Sequence, residues 1–340
     1  MVSLTVDHVR TARAKLAPWI RRTPLLRSHW LSTLTGTDVW LKLESLQHTH
    51  SFKLRGAFAA ALALVEQGSN SAKSSRLVTA SAGNHGLGLA TAARALGLRA
   101  TIVTPRGASE TKLAAIRATG ADLRPEADSY DDAERRALAL AASQGATYIS
   151  AYNNPTIIAG AGSVGLEIVD ELPEARTILV PVGGGGLIAG VALAVKGAGT
   201  SHLAPRTSRH VVGVEAAANP AFRVALEHGR ITPILVQPTI ADGLSGNLEA
   251  GAITFDIVRR LVDDLVVVSE AGLRNGIAAL LAHERLVAEG AGVAAVAALT
   301  GHHVTPLEGP VVAIVSGANI DAVQLLQIVT AVTDCGKTPL

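Results

Sequence analysis

The chain has 340 residues, 48% of them hydrophobic, a formal net charge of +2 and only 3% aromatic content. That length can bury two cores, and the near-balanced charge with few stacking rings argues against a nucleic-acid surface. Residues 1–20 carry Asp7, Arg10, Arg13 and Lys15 in a helical pattern with no apolar run of signal-peptide length, and no alanine-rich stretch is long enough to span a bilayer. These features predict a cytoplasmic protein with no membrane partner. The single cysteine, Cys335, lies in a polar tail, which fits a reducing compartment and excludes an intramolecular disulfide.

In chain order, the patterning predicts an amphipathic helix over 6–17 and a strand over 39–43. Strands then follow at 77–80, 100–104, 121–124 and 146–149, separated by helices near 86–96, 110–119 and 131–143. Asn153-Asn154-Pro155 marks a crossover into a second series, with strands at 177–182, 210–215, 264–268 and 311–315. Alternation of this kind predicts an α/β fold of two lobes, each a parallel twisted sheet with helices on both faces. The expected division is a large lobe of residues 1–55 and 151–340 and a small lobe of residues 56–150. Ligands of such sheets bind at the carboxyl ends of strands, here in the cleft between the lobes.

The chemistry concentrates at four strand ends or loops. In Ser51-Phe52-Lys53-Leu54-Arg55-Gly56 one lysine has an aromatic neighbour inside a polar loop. Lys15, Lys73, Lys112, Lys196 and Lys337 sit in charged or small-residue contexts expected on the solvated surface, and Lys42 falls in an alternating strand pattern. The strand over 178–182 runs into Gly183, Gly184, Gly185 and Gly186 and then into a helical run opening at Leu187. Successive side-chain-free N–H groups followed by a helix N-terminus make a phosphate cradle, where a plain turn needs only one or two glycines. The loop has neither the Gly-Lys-Ser/Thr of a Walker motif nor the Gly-x-Gly-x-x-Gly of a dinucleotide site. Ser81-Ala82-Gly83-Asn84-His85-Gly86, at a strand-to-helix junction, offers N–H groups, a hydroxyl, an amide and an imidazole suited to a small carboxylate; helix capping by Ser81 or Asn84 is the plainer alternative. Ser316-Gly317-Ala318-Asn319 follows the strand over 311–315, with Ser316 either a helix cap or a hydroxyl aimed at a bound heterocycle. Ile240-Ala241-Asp242-Gly243-Leu244 and Gly213-Val214-Glu215 are weaker signals of the same strand-end kind.

A lone lysine, a phosphate loop not built for nucleotides and a carboxylate loop together suggest a pyridoxal 5'-phosphate enzyme. Arg22-Thr23-Pro24-Leu25, Lys42-Leu43-Glu44, the Ser51–Ala57 segment, the Ser81–Gly86 loop, Gly183 to Leu187 and Ser316 to Asn319 resemble, in order and spacing, the serine/threonine dehydratase and serine racemase family. The resemblance spans about residues 20 to 320. It implies the two-lobed fold of tryptophan synthase β-chains and a homodimer or homotetramer. Lys53 would hold the cofactor aldehyde, with Phe52 beside the ring and Asn84 near its 3-hydroxyl. The phosphate would rest on Gly183, Gly184, Gly185, Gly186 and the N–H of Leu187, with Ser316 facing the pyridine nitrogen. Ser81, Asn84 and His85 would hold the carboxylate of a small amino-acid substrate. His85, where sulfhydrylases and threonine synthases of this fold usually carry threonine, favours β-elimination on free L-threonine or L-serine to give a 2-oxo acid and ammonia.

The departures from the family pattern carry expectations too. Ala82 stands where racemases of the family have a proton-delivering serine, which speaks against efficient racemisation. Glu215 matches part of the family's cation site, but the acidic ligand expected six residues on falls on Ala221, so no metal is expected to bind strongly. His48-Thr49-His50 replaces the common Pro-Thr-Gly; both imidazoles are expected to face solvent, although near the cleft they would point to another substrate such as 3-hydroxyaspartate or phenylserine. A binding protein that has lost catalysis is the alternative from a different class. With the last helix expected over 321–332, no regulatory domain and no isoleucine feedback are expected.

Overall fold

The computed structural model describes residues 4–67, 76–197 and 209–334. Its strands are β1 (Leu25–Ser28), β2 (Val39–Leu43), β3 (Arg76–Ala80), β4 (Arg99–Pro105), β5 (Asp122–Ala127), β6 (Thr147–Tyr148), β7 (Thr177–Pro181), β8 (His210–Ala216), β9 (Asp264–Val268) and β10 (Val311–Val315). The helices are α1 (Val6–Leu16), α2 (His29–Thr35), α3 (Lys53–Gln67), α4 (Asn84–Ala95), α5 (Glu110–Arg117), α6 (Tyr130–Gln144), α7 (Pro155–Glu171), α8 (Gly186–Gly197), α9 (Ala221–Glu227), α10 (Ile253–Leu261), α11 (Glu270–Glu284), α12 (Ala294–Thr300) and α13 (Ala322–Asp334). The expected strands and helices all appear, most within one or two residues of their predicted bounds. Cys335, Lys73 and Lys337 lie outside the described residues.

Two sheets form, one of six strands in the order β1-β2-β10-β7-β8-β9 and one of four in the order β5-β4-β3-β6. Every neighbouring pair is parallel except β1 with β2, where Leu25 lies opposite Lys42. β7 and β10 are buried along their whole length, as parallel strands covered on both faces must be. In β10, Val311, Ala313 and Val315 pack into one apolar cluster, with residues of α11 and α12. Val312 and Ile314 pack into the opposite one, with residues of α7, α8 and α10.

α3 begins at Lys53 itself, so the lysine opens a helix and does not sit in the polar loop its neighbours suggested. The helix backs directly onto α7. A Cβ on Gly160 would stand 2.6 Å from the Arg55 carbonyl oxygen, and one on Gly56 would stand 2.9 Å from that of Ile157. α7 meets α8 just as closely, since a Cβ on Gly190 would come within 2.4 Å of the Ile158 oxygen. Backbone contact on both sides makes α3, α7 and α8 one stack.

Beneath that stack lies a charge cluster. Lys42 of β2 is fully buried, because both faces of its strand are covered and the alternating pattern does not mark a solvent face. Its Nζ contacts Glu167 Oε2 at 2.7 Å; Arg55 contacts Glu167 Oε1 at 2.6 Å and Glu44 Oε2 at 2.8 Å. Thr23 Oγ1 donates to Glu44 Oε1 at 2.5 Å, and Lys42 donates to the Thr23 carbonyl oxygen at 2.6 Å. Burial alone would raise the Glu167 carboxyl, but Arg55 and Lys42 hold it below the usual range. Two cations and two anions balance, which is what makes such burial tolerable.

Candidate active site

Between the two sheets opens a cleft of about 440 Å³. Phe52, Lys53, Ser81, Asn84, His85, Gly183 to Leu187 and Ser316 all line it. The structure thus brings every sequence-predicted site residue to one cavity.

Lys53 reaches in from the first turn of α3. Its Nζ donates to the Ala151 carbonyl oxygen at 3.1 Å and lies 5.2 Å from the Phe52 ring centroid. Burial lowers its pKa to about 8 against a smaller opposing pull from Glu289, so the amine gives up its proton more readily than an exposed lysine does. The Phe52 N–H donates to the Ser316 carbonyl oxygen at 3.1 Å, and Ser51 bridges to Gly317. These contacts stitch the lysine segment to the end of β10. Ser316 is buried, and α13 starts only at Ala322, so Ser316 is not the helix cap that its sequence position allowed.

The glycine turn joins β7 to α8. A Cβ on Gly184 would fall 2.1 Å from the Tyr152 ring, and Gly185 has φ +83° with the Phe222 ring 2.4 Å from where its Cβ would be. Side chains are therefore excluded here by packing and by backbone angle. The first main-chain N–H groups of the twelve-residue α8 have no intrahelical acceptor and point toward the turn. Small, donor-rich and closed by aromatic walls, this seat fits a phosphate group.

Across the cleft, β3 leads through Ser81 into α4, with Gly83 at the N-cap position and Ser81 Oγ accepting from the Gly83 N–H at 3.3 Å. His85 is buried, and its Nε2 stands 3.2 Å from the Ile149 carbonyl oxygen. A carbonyl only accepts, so Nε2 carries the proton and Nδ1 is the acceptor nitrogen. Burial, with the nearby Lys53 charge, lowers the His85 pKa to about 3, which keeps the ring neutral. A neutral imidazole with its proton already engaged cannot donate to a carboxylate. An anion here must be met by the loop N–H groups and by Ser81 and Asn84.

Other lining residues escaped the sequence reading. Lys112, expected on the solvated surface, lines the cleft and pairs with Asp242, whose loop was among the weaker signals. Tyr130, Tyr152 and Glu289 line it as well. Glu289 had one available signal, a lone acid in the small-residue run Ala288-Glu289-Gly290-Ala291-Gly292. His48 and His50 are exposed, as expected, and are not among the residues that line the cleft. His50 has φ +55°, the left-handed region that the family's glycine would occupy without strain. Glu215 accepts from the N–H groups of Phe222 and Arg223 at 2.8 and 2.9 Å and tethers the start of α9.

A two-sheet α/β fold with a desolvated lysine facing a glycine phosphate seat defines a class of site built for a phosphorylated aldehyde cofactor. A family model described as pyridoxal-phosphate dependent enzyme matches residues 16–317, and the chain belongs to that family. Its fold is the tryptophan synthase β-like type. An L-threonine ammonia-lyase of Thermotoga maritima is 38% identical over 327 residues, covering 96% of this chain and 78% of that protein. The catabolic L-threonine dehydratase TdcB of Escherichia coli is 35% identical, covering 96% of each. Among solved structures, maize serine racemase superposes with a TM-score of 0.84 at 30% identity over 97% of this chain and 99% of that one. Threonine deaminase isoform 2 of Solanum lycopersicum superposes with a TM-score of 0.85 at 31% identity over 97% and 89%. Among the described residues no helix is long and apolar enough to cross a membrane.

Proposed function

We propose that the chain is a pyridoxal-phosphate-dependent ammonia-lyase that converts L-threonine and L-serine to a 2-oxo acid and ammonia by β-elimination. The reaction would run between a large domain of residues 1–55 and 151–340 and a small domain of residues 56–150. The observation that carries the reading is the amine of Lys53 in one cleft with the Ser81–His85 loop and the glycine turn. The similarity to L-threonine ammonia-lyases and dehydratases over almost the whole chain supports the same activity.

When bound, pyridoxal phosphate supplies a carbonyl that takes the substrate amine and a conjugated ring that accepts electrons released at Cα. The chain supplies the rest. Gly183 to Gly186 and the Leu187 N–H would hold the phosphate, Phe52 would lie beside the ring, and Ser316 would offer the ring nitrogen a hydroxyl and no charge. Ser81, Asn84 and the N–H groups up to His85 orient the carboxylate, which sets the Cα–H bond toward Lys53. Lys53 Nζ takes the Cα proton, and a positioned base of this kind contributes about two to four decades in rate. Ala82 has no hydroxyl to return a proton from the opposite face, so release of the β-hydroxyl is favoured over inversion.

Lys53→Ala is expected to lower 2-oxo acid release from L-threonine at least about a hundredfold, given that contribution. Undiminished release would sink the reading. The same reading has the enzyme working in the cytoplasm as a homodimer or homotetramer. Val323 and Leu326, 68% and 66% exposed on α13, support that assembly.

A further inference from the structure

Glu289 is a buried carboxylate in the wall of the cleft, on the segment between α11 and α12. Its main-chain N–H donates to the Gly317 carbonyl oxygen at 3.1 Å, and its Oε1 accepts from Asn84 Nδ2 at 2.5 Å. Room for that carboxylate exists only because residue 317 is glycine, since a Cβ there would lie 2.2 Å from Oε1. The other end of the Asn84 amide is held too. Asn84 Oδ1 accepts from Asn319 Nδ2 at 2.6 Å, and the same nitrogen donates to the Thr49 carbonyl oxygen at 2.9 Å. The Thr49 carbonyl can only accept, which fixes the polarity of this relay from Asn319 through Asn84 to Glu289 and settles which Asn84 atom is nitrogen. Asn84 Nδ2 keeps one N–H for the cleft.

Glu289 also meets charge from several elements. Lys53 of α3 and Lys112 of α5 draw it toward the ionised form, whereas Asp242 opposes that. Burial is the largest influence and pushes the carboxyl up to about 7, while Glu289 in turn raises Lys53.

We propose that Glu289 is a positioning residue for the cofactor: it clamps the Asn84 amide so that one N–H faces the bound ring, and it sets a counter-charge beside Lys53. The proposal rests on the pyridoxal phosphate reading of the cleft and on nothing about the substrate.

The test titrates apoprotein with pyridoxal phosphate, following protein fluorescence, for Asn84→Ala, Glu289→Ala, Glu289→Gln and the double alanine variant. Each alanine is expected to raise the dissociation constant about tenfold, as loss of a hydrogen bond to a charged group does. The double variant should bind no more than about threefold more weakly than the worse single one, because the two residues act as a unit. Gln should recover most of the loss, since its amide oxygen still accepts from Asn84. Multiplicative effects of the two alanines, or a Gln variant as weak as Ala, would overturn the clamp. The pH dependence of the rate at which apoprotein combines with pyridoxal phosphate supplies a readout that altered packing alone does not move. Its midpoint is set by Lys53, and Glu289→Gln is expected to shift it downward; an unmoved midpoint would overturn the counter-charge. Should the alanine variants fail to fold, Gln and the pH readout still decide. Turnover enters neither measurement, so failure on L-threonine leaves this inference standing or falling by itself.

Discussion

At the scale of single residues, the glycine turn makes the sharpest demand. Gly184→Ala would drive a methyl into the Tyr152 ring, which is itself fixed because its hydroxyl accepts from the Glu249 N–H at 2.7 Å. Overpacking of this kind costs about 1–3 kcal/mol, so cofactor affinity measured by apoprotein titration should fall about tenfold or more. Glu215 gives a pH-dependent counterpart. Burial raises it from 4.5 to about 7 despite its two N–H donors. The folded state therefore holds a proton that the unfolded chain has lost between those values, and stability falls as pH rises through that window. Glu215→Gln removes the titration, so the melting temperature of the variant relative to the native chain should be higher at pH 8 than at pH 4.5; an equal difference at both would remove the argument. Lys53 and the four glycines were legible in sequence because their chemistry is local. Glu289 and Lys112 were not, and Asp242 showed only as part of a weak loop signal, since each acquires its role from a partner far along the chain, as Glu289 does from Asn84.

At the scale of elements, α5 ties the two lobes together across the cleft. Ser109, its N-cap, donates to Asp321 at 3.0 Å, and Lys112, one turn on, pairs with Asp242. Ser109→Ala with Lys112→Met removes both links. At about 1 kcal/mol per hydrogen bond, the KM for L-threonine should rise about tenfold with a smaller change in kcat, by steady-state kinetics. The cluster beneath α3 is the element-level feature that sequence patterning hid, because period-2 alternation in β2 cannot show that Arg55 and Glu167 lie behind it. Glu44→Gln strips one charge from the balanced set and is expected to cost about 3–5 kcal/mol, read as a loss in thermal or urea stability.

Across the whole molecule, alternation of strands and helices made the two sheets and their cleft legible, since parallel strands buried on both faces read as continuous apolar runs. β1 was not, being four residues long and patterned buried-exposed-exposed-buried. Assembly is the other property of this scale. A charge placed on the apolar face of α13, Leu326→Glu, should shift sedimentation toward monomer, and an unchanged profile would locate any interface elsewhere. The stack of α3, α7 and α8 has a further consequence. Its glycine-to-backbone contacts join the helix that begins with Lys53 to the helix that opens at the phosphate seat, with no side-chain cushion between them. Because α3 also packs its Leu54, Ala57 and Phe58 against Leu89 of α4 and Ile102 of β4, this stack couples the small sheet to the glycine turn through the helix that carries Lys53.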